Sequence, residues 1–311
     1  MTTPTTNSNI NPCQEPSNST LQSQGNLGTF QLLGTPFVKM HGCGNDFIYF
    51  NCFDTDISNP EALTVRLSDR HKGIGGDGIV LILPSDVADA KMRMFNPDGS
   101  ESQNCGNSIR CVGKFLYESG MASYPNLKIE TLSGIKKLEL VVEHGEVIAV
   151  QVDMGQAILA PEKIPVNLSG TTIVQRKVNV TRQPYEITCV SMGNPHAVIF
   201  DDDIDHFDLH TIGPIFETAP LFPERINVEI AQMVKRNHVR MRVWERGGGE
   251  TMASGTGACA TAVAAVLLGY CDKNTDIKVE VRGGVLTIRY TDETVYMTGD
   301  CVKVYEGAVI L

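Results

Sequence analysis

Short runs of apolar and polar residues alternate along most of the chain, and turns containing glycine or proline separate them. Residues 78–82 (GIVLI) and 239–243 (VRMRV) are two such runs. We predict both as strands, because short runs rich in β-branched residues favour a sheet. Turn sequences follow them at 96–99 (NPDG) and 247–249 (GGG).

Two longer segments predict helices, at about residues 107–118 and 256–268. Each ends just before a glycine, Gly120 or Gly269, which suits the C-terminal cap of a helix. The second segment is apolar on all sides, and a helix with that pattern is buried. Strand-like segments follow each helix, at 129–152 and 277–297.

The two halves of the chain repeat the same pattern at an offset of 149 residues. At this offset Gly44-Asn45 falls on Gly193-Asn194, and residues 93–95 fall on 242–244. Cys105-Gly106 falls on Ser254-Gly255. The repeat is too long for a solenoid and indicates duplication of a whole lobe. We therefore predict an α/β (α+β) fold of two pseudo-symmetric lobes, each a curled mixed sheet around a central buried helix.

The repeat also suggests domain boundaries. Residues 1–35 are rich in Ser, Thr, Asn, Gln and Pro and carry a single charge, Glu15, so we expect a disordered tail. The first lobe is predicted over 36–152 and the second over 153–299. The tail has neither a basic segment followed by a long apolar run nor the arginines of an organellar transit peptide, so we expect a cytoplasmic protein.

Composition narrows the class of protein further. Apolar residues make up 42% of the 311 residues and charged residues 20%, as in ordinary globular proteins. The net charge is −10 and the basic residues are scattered, which argues against nucleic acid as a partner. No run is long and apolar enough for a membrane helix. The nine cysteines include no C-x-x-C pair, so we expect reduced thiols and no metal site.

The starts of the two predicted helices carry candidate chemistry. Cys105, Gly106 and Asn107 open the first, and Ser254, Gly255 and Thr256 open the second. The first backbone N–H groups of a helix lack intrahelical partners and lie at the positive end of its dipole. They can therefore bind a carboxylate, and they lower the pKa of a thiol placed there. The alternative is structural, with Cys105 an ordinary helix-start residue and Ser254 an N-cap.

Pseudo-symmetry would bring the two helix starts face to face. One acid/base group would then stand on each side of a bound carboxylate. That arrangement suits inversion of a chiral carbon, in which one group removes a proton from one face and the other delivers a proton to the opposite face. The helix starts would stabilise the negative charge that builds up during the reaction.

Six motifs along the chain together resemble the diaminopimelate epimerase family. They run in the family's order from about residue 36 to the C-terminus: 40–47 (MHGCGNDF), 73–78 (GIGGDG), 96–101 (NPDGSE), 105–107 (CGN), 192–196 (MGNPH) and 244–251 (WERGGGET). The stretch 73–78 lacks the strand–loop–helix context of a dinucleotide-binding loop.

The resemblance implies an isomerase that converts LL-2,6-diaminopimelate into the meso form in lysine and peptidoglycan-precursor synthesis. It implies two lobes closing over this substrate, a last strand at 300–311 that returns to the first lobe, no cofactor, no metal and a homodimer. Cys105 matches one catalytic cysteine. Backbone groups of Gly106, Asn107, Gly255 and Thr256 are expected to bind the α-carboxylate. Further substrate contacts are expected from Asn45, Asn96, Asn194, Asn227, Glu245 and Arg246.

One departure from the family pattern concerns the chemistry itself. Ser254 stands where the resemblance leads us to expect the second catalytic cysteine. A serine hydroxyl is a weaker acid than a thiol, so a loss of about 10²–10⁴-fold in rate is expected. The alternatives to a two-base epimerase are a one-base enzyme that eliminates a β-substituent and a non-catalytic amino-acid-binding paralogue. A further alternative is an ordinary epimerase into which the serine was introduced.

Overall fold

The computed structural model describes Met1 and residues 34–102, 106–181 and 183–310. The predicted tail therefore lies outside the described residues, apart from Met1, Gly34 and Thr35. Cys105, the first candidate catalytic residue, lies outside them as well.

The first half of the described chain, from β1 to β8, alternates strands with two helices. Its elements are β1 (Thr35–Gly42), β2 (Asn45–Asn51), α1 (Pro60–Ser68), β3 (Ile79–Leu83), β4 (Ala90–Phe95), β5 (Glu101–Ser102), α2 (Gly106–Glu118), β6 (Asn126–Thr131), β7 (Gly134–Glu143) and β8 (Glu146–Asp153).

The second half, from β9 to β17, repeats this order of strands and helices with one extra strand, β9, and β18 follows it. A short 3₁₀ helix (Pro161–Lys163) leads into it. Its elements are β9 (Arg176–Val178), β10 (Tyr185–Ser191), β11 (Pro195–Phe200), α3 (Leu209–Glu217), β12 (Asn227–Lys235), β13 (His238–Glu245), β14 (Gly249–Glu250), α4 (Gly255–Leu267), β15 (Asp276–Val281), β16 (Gly284–Tyr290), β17 (Val295–Gly299) and then β18 (Val302–Val309).

Strand pairing repeats between the halves. In the first, β2 and β3 are parallel, β3 and β4 antiparallel, β4 and β6 parallel, and β6, β7 and β8 antiparallel in turn. In the second, β11, β12, β13, β15, β16 and β17 pair in the same order and directions. The predicted fold class, two duplicated lobes of curled mixed sheet, is confirmed.

Two further pairings join the halves. Strand β8 pairs antiparallel with β17, and β1 pairs antiparallel with β18. The last strand of the described chain therefore lies beside the first, and the sheet runs without a break from one half into the other.

Helices α2 and α4 lie at the centre of the fold. They begin and end within one residue of the predicted bounds. In α4 every residue from Gly257 to Ala265 is buried, as its apolar sequence predicts. Helices α1 and α3 were not predicted, and they cover the outer faces of the sheet through residues such as Leu67 and Phe216.

Candidate active site

The N-termini of α2 and α4 meet at the centre of the molecule. Asn107 Nδ2, in the first turn of α2, donates to the carbonyl of Ala253 just before α4, at 3.3 Å. Both first helical residues are glycines that face Met297. A Cβ on Gly106 would lie 2.9 Å from Met297 Cε, and one on Gly255 would lie 3.0 Å from its Sδ. Glycine at both positions therefore lets the two helix starts approach one side chain.

Ser254 is the N-cap of α4 and is almost fully buried. Its Oγ accepts the backbone N–H of Gly257 at 3.2 Å and lies 3.5 Å from Thr256 Oγ1. The hydroxyl thus satisfies one of the free N–H groups at the helix start. Cys105, its predicted counterpart, is bonded in sequence to Gly106 but lies outside the described residues.

Two asparagines at equivalent positions of the repeat each hydrogen-bond to the start of one central helix, one as acceptor and the other as donor. Asn45 Oδ1 accepts from Asn107 Nδ2 at 3.3 Å, and Asn194 Nδ2 donates to Thr256 Oγ1 at 3.2 Å. Both contacts span 62 residues, as duplication requires. The side chains that the sequence predicted as substrate contacts are therefore joined to the helix starts.

Asn45 is held in place by a carboxylate that the sequence did not single out. Its Nδ2 donates to Asp77 Oδ2 at 2.7 Å, and the same oxygen accepts the N–H of Asp46 at 3.2 Å. Arg70 donates to the other oxygen of Asp77 at 2.9 Å. Asp77 belongs to the 73–78 motif, so this stretch positions Asn45 instead of forming a dinucleotide loop.

Asn194 is held by a buried histidine–glutamate pair. His196 Nε2 lies 3.1 Å from Asn194 Oδ1, and His196 Nδ1 lies 2.6 Å from Glu229 Oε1. Both side chains of the pair are fully buried. His196 belongs to the motif at 192–196, but nothing in the sequence joined it to Glu229.

Three more of the predicted contacts, Asn227, Glu245 and Arg246, gather at the end of β13. Asn227 Oδ1 accepts the backbone N–H of Arg246 at 2.8 Å, and Arg246 Nη1 donates to the Glu224 carbonyl at 2.9 Å. Glu245 accepts from Thr251 Oγ1 at 2.5 Å. Burial raises the pKa of Glu245, and the charges of His196, Glu229 and Asp77 also act on it.

Asn96 is placed differently from the other predicted contacts. Its Nδ2 donates to Ser100 Oγ at 3.0 Å, within the turn between β4 and β5. This contact is the turn chemistry expected of an asparagine before proline.

The other described cysteines are poor candidates for acid/base chemistry. Burial raises the pKa of Cys43 and of Cys259 to about 12, and that of Cys52 and of Cys301 to about 11. Within residues 34–102, 106–181 and 183–310, no group of three His, Cys, Asp or Glu side chains is arranged to hold a metal ion. In the same part of the chain, no helix is long and apolar enough to cross a membrane.

Two helix starts meet beside the hydroxyl of Ser254. The first backbone N–H groups of a helix have no intrahelical partner, and such groups can bind a carboxylate. An acid/base group on the opposite side would complete a proton relay across a bound α-carbon.

Comparison with known proteins gives the same family for both halves of the chain. A family model described as diaminopimelate epimerase matches residues 37–160 and 188–304. The diaminopimelate epimerase of Acetivibrio thermocellus is 52% identical over 277 residues, which cover 88% of this chain and 98% of that protein. That of Methanococcus maripaludis is 50% identical over 275 residues, covering 88% of this chain and 99% of the relative.

Solved structures resemble the fold at much lower identity. A PhzF-family phenazine biosynthesis protein from Bacillus anthracis has a TM-score of 0.64 at 17% identity, covering 89% of this chain and 99% of that one. A probable proline racemase from Agrobacterium radiobacter has a TM-score of 0.62 at 16% identity, covering 89% and 93%.

Proposed function

The chain belongs to the diaminopimelate epimerase family and is an isomerase of that kind, and we propose that Cys105 and Ser254 are its acid–base pair. The reaction inverts one α-carbon of LL-2,6-diaminopimelate to give the meso form. The observation that carries the proposal is the meeting of the two helix starts, where Asn107 bonds to Ala253 directly beside Ser254.

In the proposed reaction one member of the pair removes the α-proton and the other delivers a proton to the opposite face. The C–H bond breaks on one side and a new C–H bond forms on the other, so no net proton is gained or lost. The electron pair left on the α-carbon spreads into the carboxylate. The N–H groups of Gly106, Asn107, Gly255 and Thr256 bind that carboxylate and stabilise the added charge.

The far end of the substrate carries a second amine and a second carboxylate. We assign its recognition to Asn45, Asn96, Asn194, Asn227, Glu245 and Arg246. Arg246 suits the carboxylate, because a guanidinium binds it with two parallel hydrogen bonds. Glu245 suits the ammonium group.

Ser254 is a weaker acid than cysteine, but its Oγ lies where the start of α4 can donate hydrogen bonds to it. Its Oγ accepts from the N–H of Gly257 and contacts the hydroxyl of Thr256. Hydrogen bonds donated to an oxygen stabilise its anion and lower its pKa. Roles as an elimination enzyme or a binding paralogue are not favoured, because diaminopimelate epimerases match 88% of the chain at about half identity.

We propose that the protein is a homodimer, that it lies in the cytoplasm and that it serves lysine synthesis. Strand β18 supports the dimer, because it pairs with β1 and exposes Val302, Val304 and Tyr305. A second copy would cover these apolar side chains.

The test follows the α-proton. Purified protein is incubated with LL-diaminopimelate in D₂O, and both deuterium incorporation and meso product are measured. We expect meso product that carries one α-deuterium. A Ser254→Cys variant should react faster, by up to about 10²–10⁴-fold, because a thiol is the better acid and base. A Cys259→Ala variant, which changes a buried thiol of the same helix, should keep the wild-type rate.

Two results would contradict the proposal. Deuterium uptake without inversion would make Cys105 a single base. An inactive wild type beside an active Ser254→Cys variant would leave a disabled epimerase scaffold, for which binding becomes the leading role.

A further inference from the structure

A fully buried arginine, Arg110, lies in the second turn of α2 and folds back toward the helix start. Its Nη1 donates to the Gly106 carbonyl at 3.1 Å and to Asn107 Oδ1 at 3.0 Å. Its Nε donates to the Asp300 carbonyl at 2.9 Å. The guanidinium therefore lies directly beneath the helix start that carries the proposed carboxylate site.

The positive charge of Arg110 has a single, long ion pair among the described residues. The oxygens in hydrogen-bond contact with it are two backbone carbonyls and an amide, all of them neutral. The sulfur atoms of Cys43 and Met297 lie 3.8 and 3.9 Å away. The nearest carboxylate oxygen, Asp300 Oδ1, is 3.9 Å from Nη2 and belongs to a half-exposed side chain.

Lys114 on the same helix provides the contrast. It is also nearly buried, but its Nζ lies 2.8 Å from Glu118 and 3.3 Å from Glu146. A buried cation is normally paired in this way, because removing a charge from water is costly. Arg110 instead adds positive charge near the positive end of the helix dipole, where a cation is unfavourable. An anion bound at the helix start would offset this cost.

The surrounding backbone is shaped to hold the guanidinium. A Cβ on Gly42 would lie 2.6 Å from Arg110 Nη2, and one on Gly299 would lie 3.0 Å from its Cζ. These glycines belong to β1 and β17, so strands from both halves leave room for the same side chain.

The influence of Arg110 extends to the start of α4. Asn107 Oδ1 accepts from Arg110 and lies 3.3 Å from the position of a Cβ on Gly255. This contact also turns Asn107 Nδ2 toward Asn45 and Ala253. Burial raises the pKa of Cys259 in α4, and the charge of Arg110 acts against that rise.

We propose that Arg110 is a positioning residue that supplies a fixed positive charge beneath both helix starts and orients Asn107 for binding an α-amino-acid carboxylate. The inference rests on the proposed function, because it assigns a further residue to the same carboxylate site. Arg110 does not touch the substrate. It acts through Gly106 and Asn107.

The test measures the Kd of LL-diaminopimelate by calorimetry, together with KM and kcat, in wild type, Arg110→Gln and Arg110→Lys. Gln removes the charge, and we expect a weakening of about tenfold or more in Kd and a larger loss in kcat/KM, since charge also builds up in the reaction. Lys keeps the charge and should retain most of the affinity. Lys114→Gln, the matched control, should lower thermal stability but leave the Kd unchanged.

Asp300→Asn gives a prediction of opposite sign and does not disturb the core. It removes the nearest negative charge and keeps an oxygen for the Cys43 N–H, which donates to Asp300 at 2.9 Å. We expect tighter binding, by about two- to threefold. If Arg110→Gln does not fold, Asp300→Asn still tests whether the charge of Arg110 strengthens binding of the carboxylate. Unchanged or weaker binding in Asp300→Asn would overturn the inference.

The outcomes also separate this inference from the proposed function. A wild type that neither binds nor inverts diaminopimelate contradicts the function itself. A wild type that does both, with Arg110→Gln equally active or Arg110→Lys as weak as Arg110→Gln, leaves the function standing and rejects the role of Arg110.

Discussion

Ser254 has two tasks at one position. Its Oγ caps α4 by accepting the Gly257 N–H, and the same oxygen is the proposed acid/base group. Serine is a favoured N-cap residue, so the structural and the chemical interpretations of this position do not compete. Substitutions can separate the two tasks.

Replacing Ser254 with alanine should cost both stability and activity. Loss of an N-cap lowers the free energy of unfolding by about 1 kcal/mol, and loss of the hydroxyl should abolish inversion. Asn59→Ala is the matched control, since Asn59 caps α1 through the Ala62 N–H at 3.1 Å. Denaturant unfolding should show similar losses for the two variants, while the rate of meso product formation should fall in Ser254→Ala alone. Equal rates in both variants would exclude Ser254 from the reaction.

The buried carboxyl of Glu245 makes stability depend on pH. Burial raises its pKa above the ordinary 4.5. Below that value the group is protonated in both the folded and the unfolded protein. As the pH rises through 4.5 and then through the raised pKa, the unfolded state loses its proton first, and the folded state loses stability.

Glu245→Gln should therefore gain stability relative to wild type as the pH rises from about 4 to 8. Thermal melts across this range measure the difference. Glu101→Gln should show the opposite sign in a lower window, because hydrogen bonds from Arg93 lower the pKa of Glu101 below 4.5. The stability that its charged form provides is constant above about pH 4.5 and is lost as the pH falls below that value, so melts of this variant extend below pH 4. A Glu245→Gln difference that does not change with pH would show that the carboxyl is not buried in solution.

At the residue scale, the sequence predicted which side chains occupy equivalent positions in the two halves. It did not predict the hydrogen-bond partners that position those side chains. Asn45 and Asn194 follow from the repeat at offset 149. Asp77, Glu229 and Arg110 do not, because a hydrogen bond between distant residues leaves no periodic signal in a single sequence. Glu229 lies within an apolar strand pattern, where only its charge is unusual.

At the scale of elements, the two central helices were the most predictable parts. Each has a long helical pattern and a glycine after its last turn, and each was predicted to within one residue. The strands of both halves also follow from short β-branched runs. These elements were predictable because the local sequence pattern and the burial of their apolar residues favour the same secondary structure.

Helices α1 and α3 escaped prediction for different reasons. Helix α1 has an N-cap at Asn59 and Pro60 in its first turn, a start signal that was present but not used. Helix α3 contains Pro214 and Gly213, which disfavour a helix. It forms because Trp244 packs against Gly213, where a Cβ would lie 2.6 Å from the indole ring. Tertiary packing overrides local propensity there.

The first turn of α4 should not tolerate a methyl group at Gly257. Alanine normally stabilises a helix by about 1 kcal/mol over glycine. A Cβ here would lie 2.7 Å from Glu229 Oε1, which His196 holds in place, so we expect a net loss of about 1–3 kcal/mol from overpacking. Gly113→Ala in α2 is the matched control, because its neighbours are flexible leucine methyls at 3.0 Å. Chemical denaturation should rank Gly257→Ala as the less stable, and the reverse order would show that Glu229 is free to move.

At the scale of the whole molecule, the two halves are interlocked. Pairing of β8 with β17 and of β1 with β18 means that neither half has a complete sheet without the other. The division into lobes at 36–152 and 153–299, with 300–311 added to the first, stays a prediction. The alignment of β18 beside β1 is the structural observation that agrees with it.

Removing β18 should destabilise the whole molecule. A chain ending at Cys301 loses one of the two strands that pair with β1, since β2 remains. It also loses the contact between the rings of Phe37 and Tyr305, whose centroids are 6.0 Å apart. Exposure of Phe37 alone should cost about 2 kcal/mol, and loss of the β1 pairing should add to this. Calorimetry measures the fall in Tm. An unchanged Tm would show that β18 contributes no stability in solution.

The position of β18 has a consequence for how the protein is made. Thr35 pairs with Val309, so at about 5–20 residues per second a ribosome adds roughly 270 residues between the two, over about 15–55 seconds. During that time one edge of β1 on the nascent chain has no partner and is open to pairing with other chains. The first half to be synthesised is therefore among the last parts to be completed, and its yield in the cell depends on what covers that edge in the meantime.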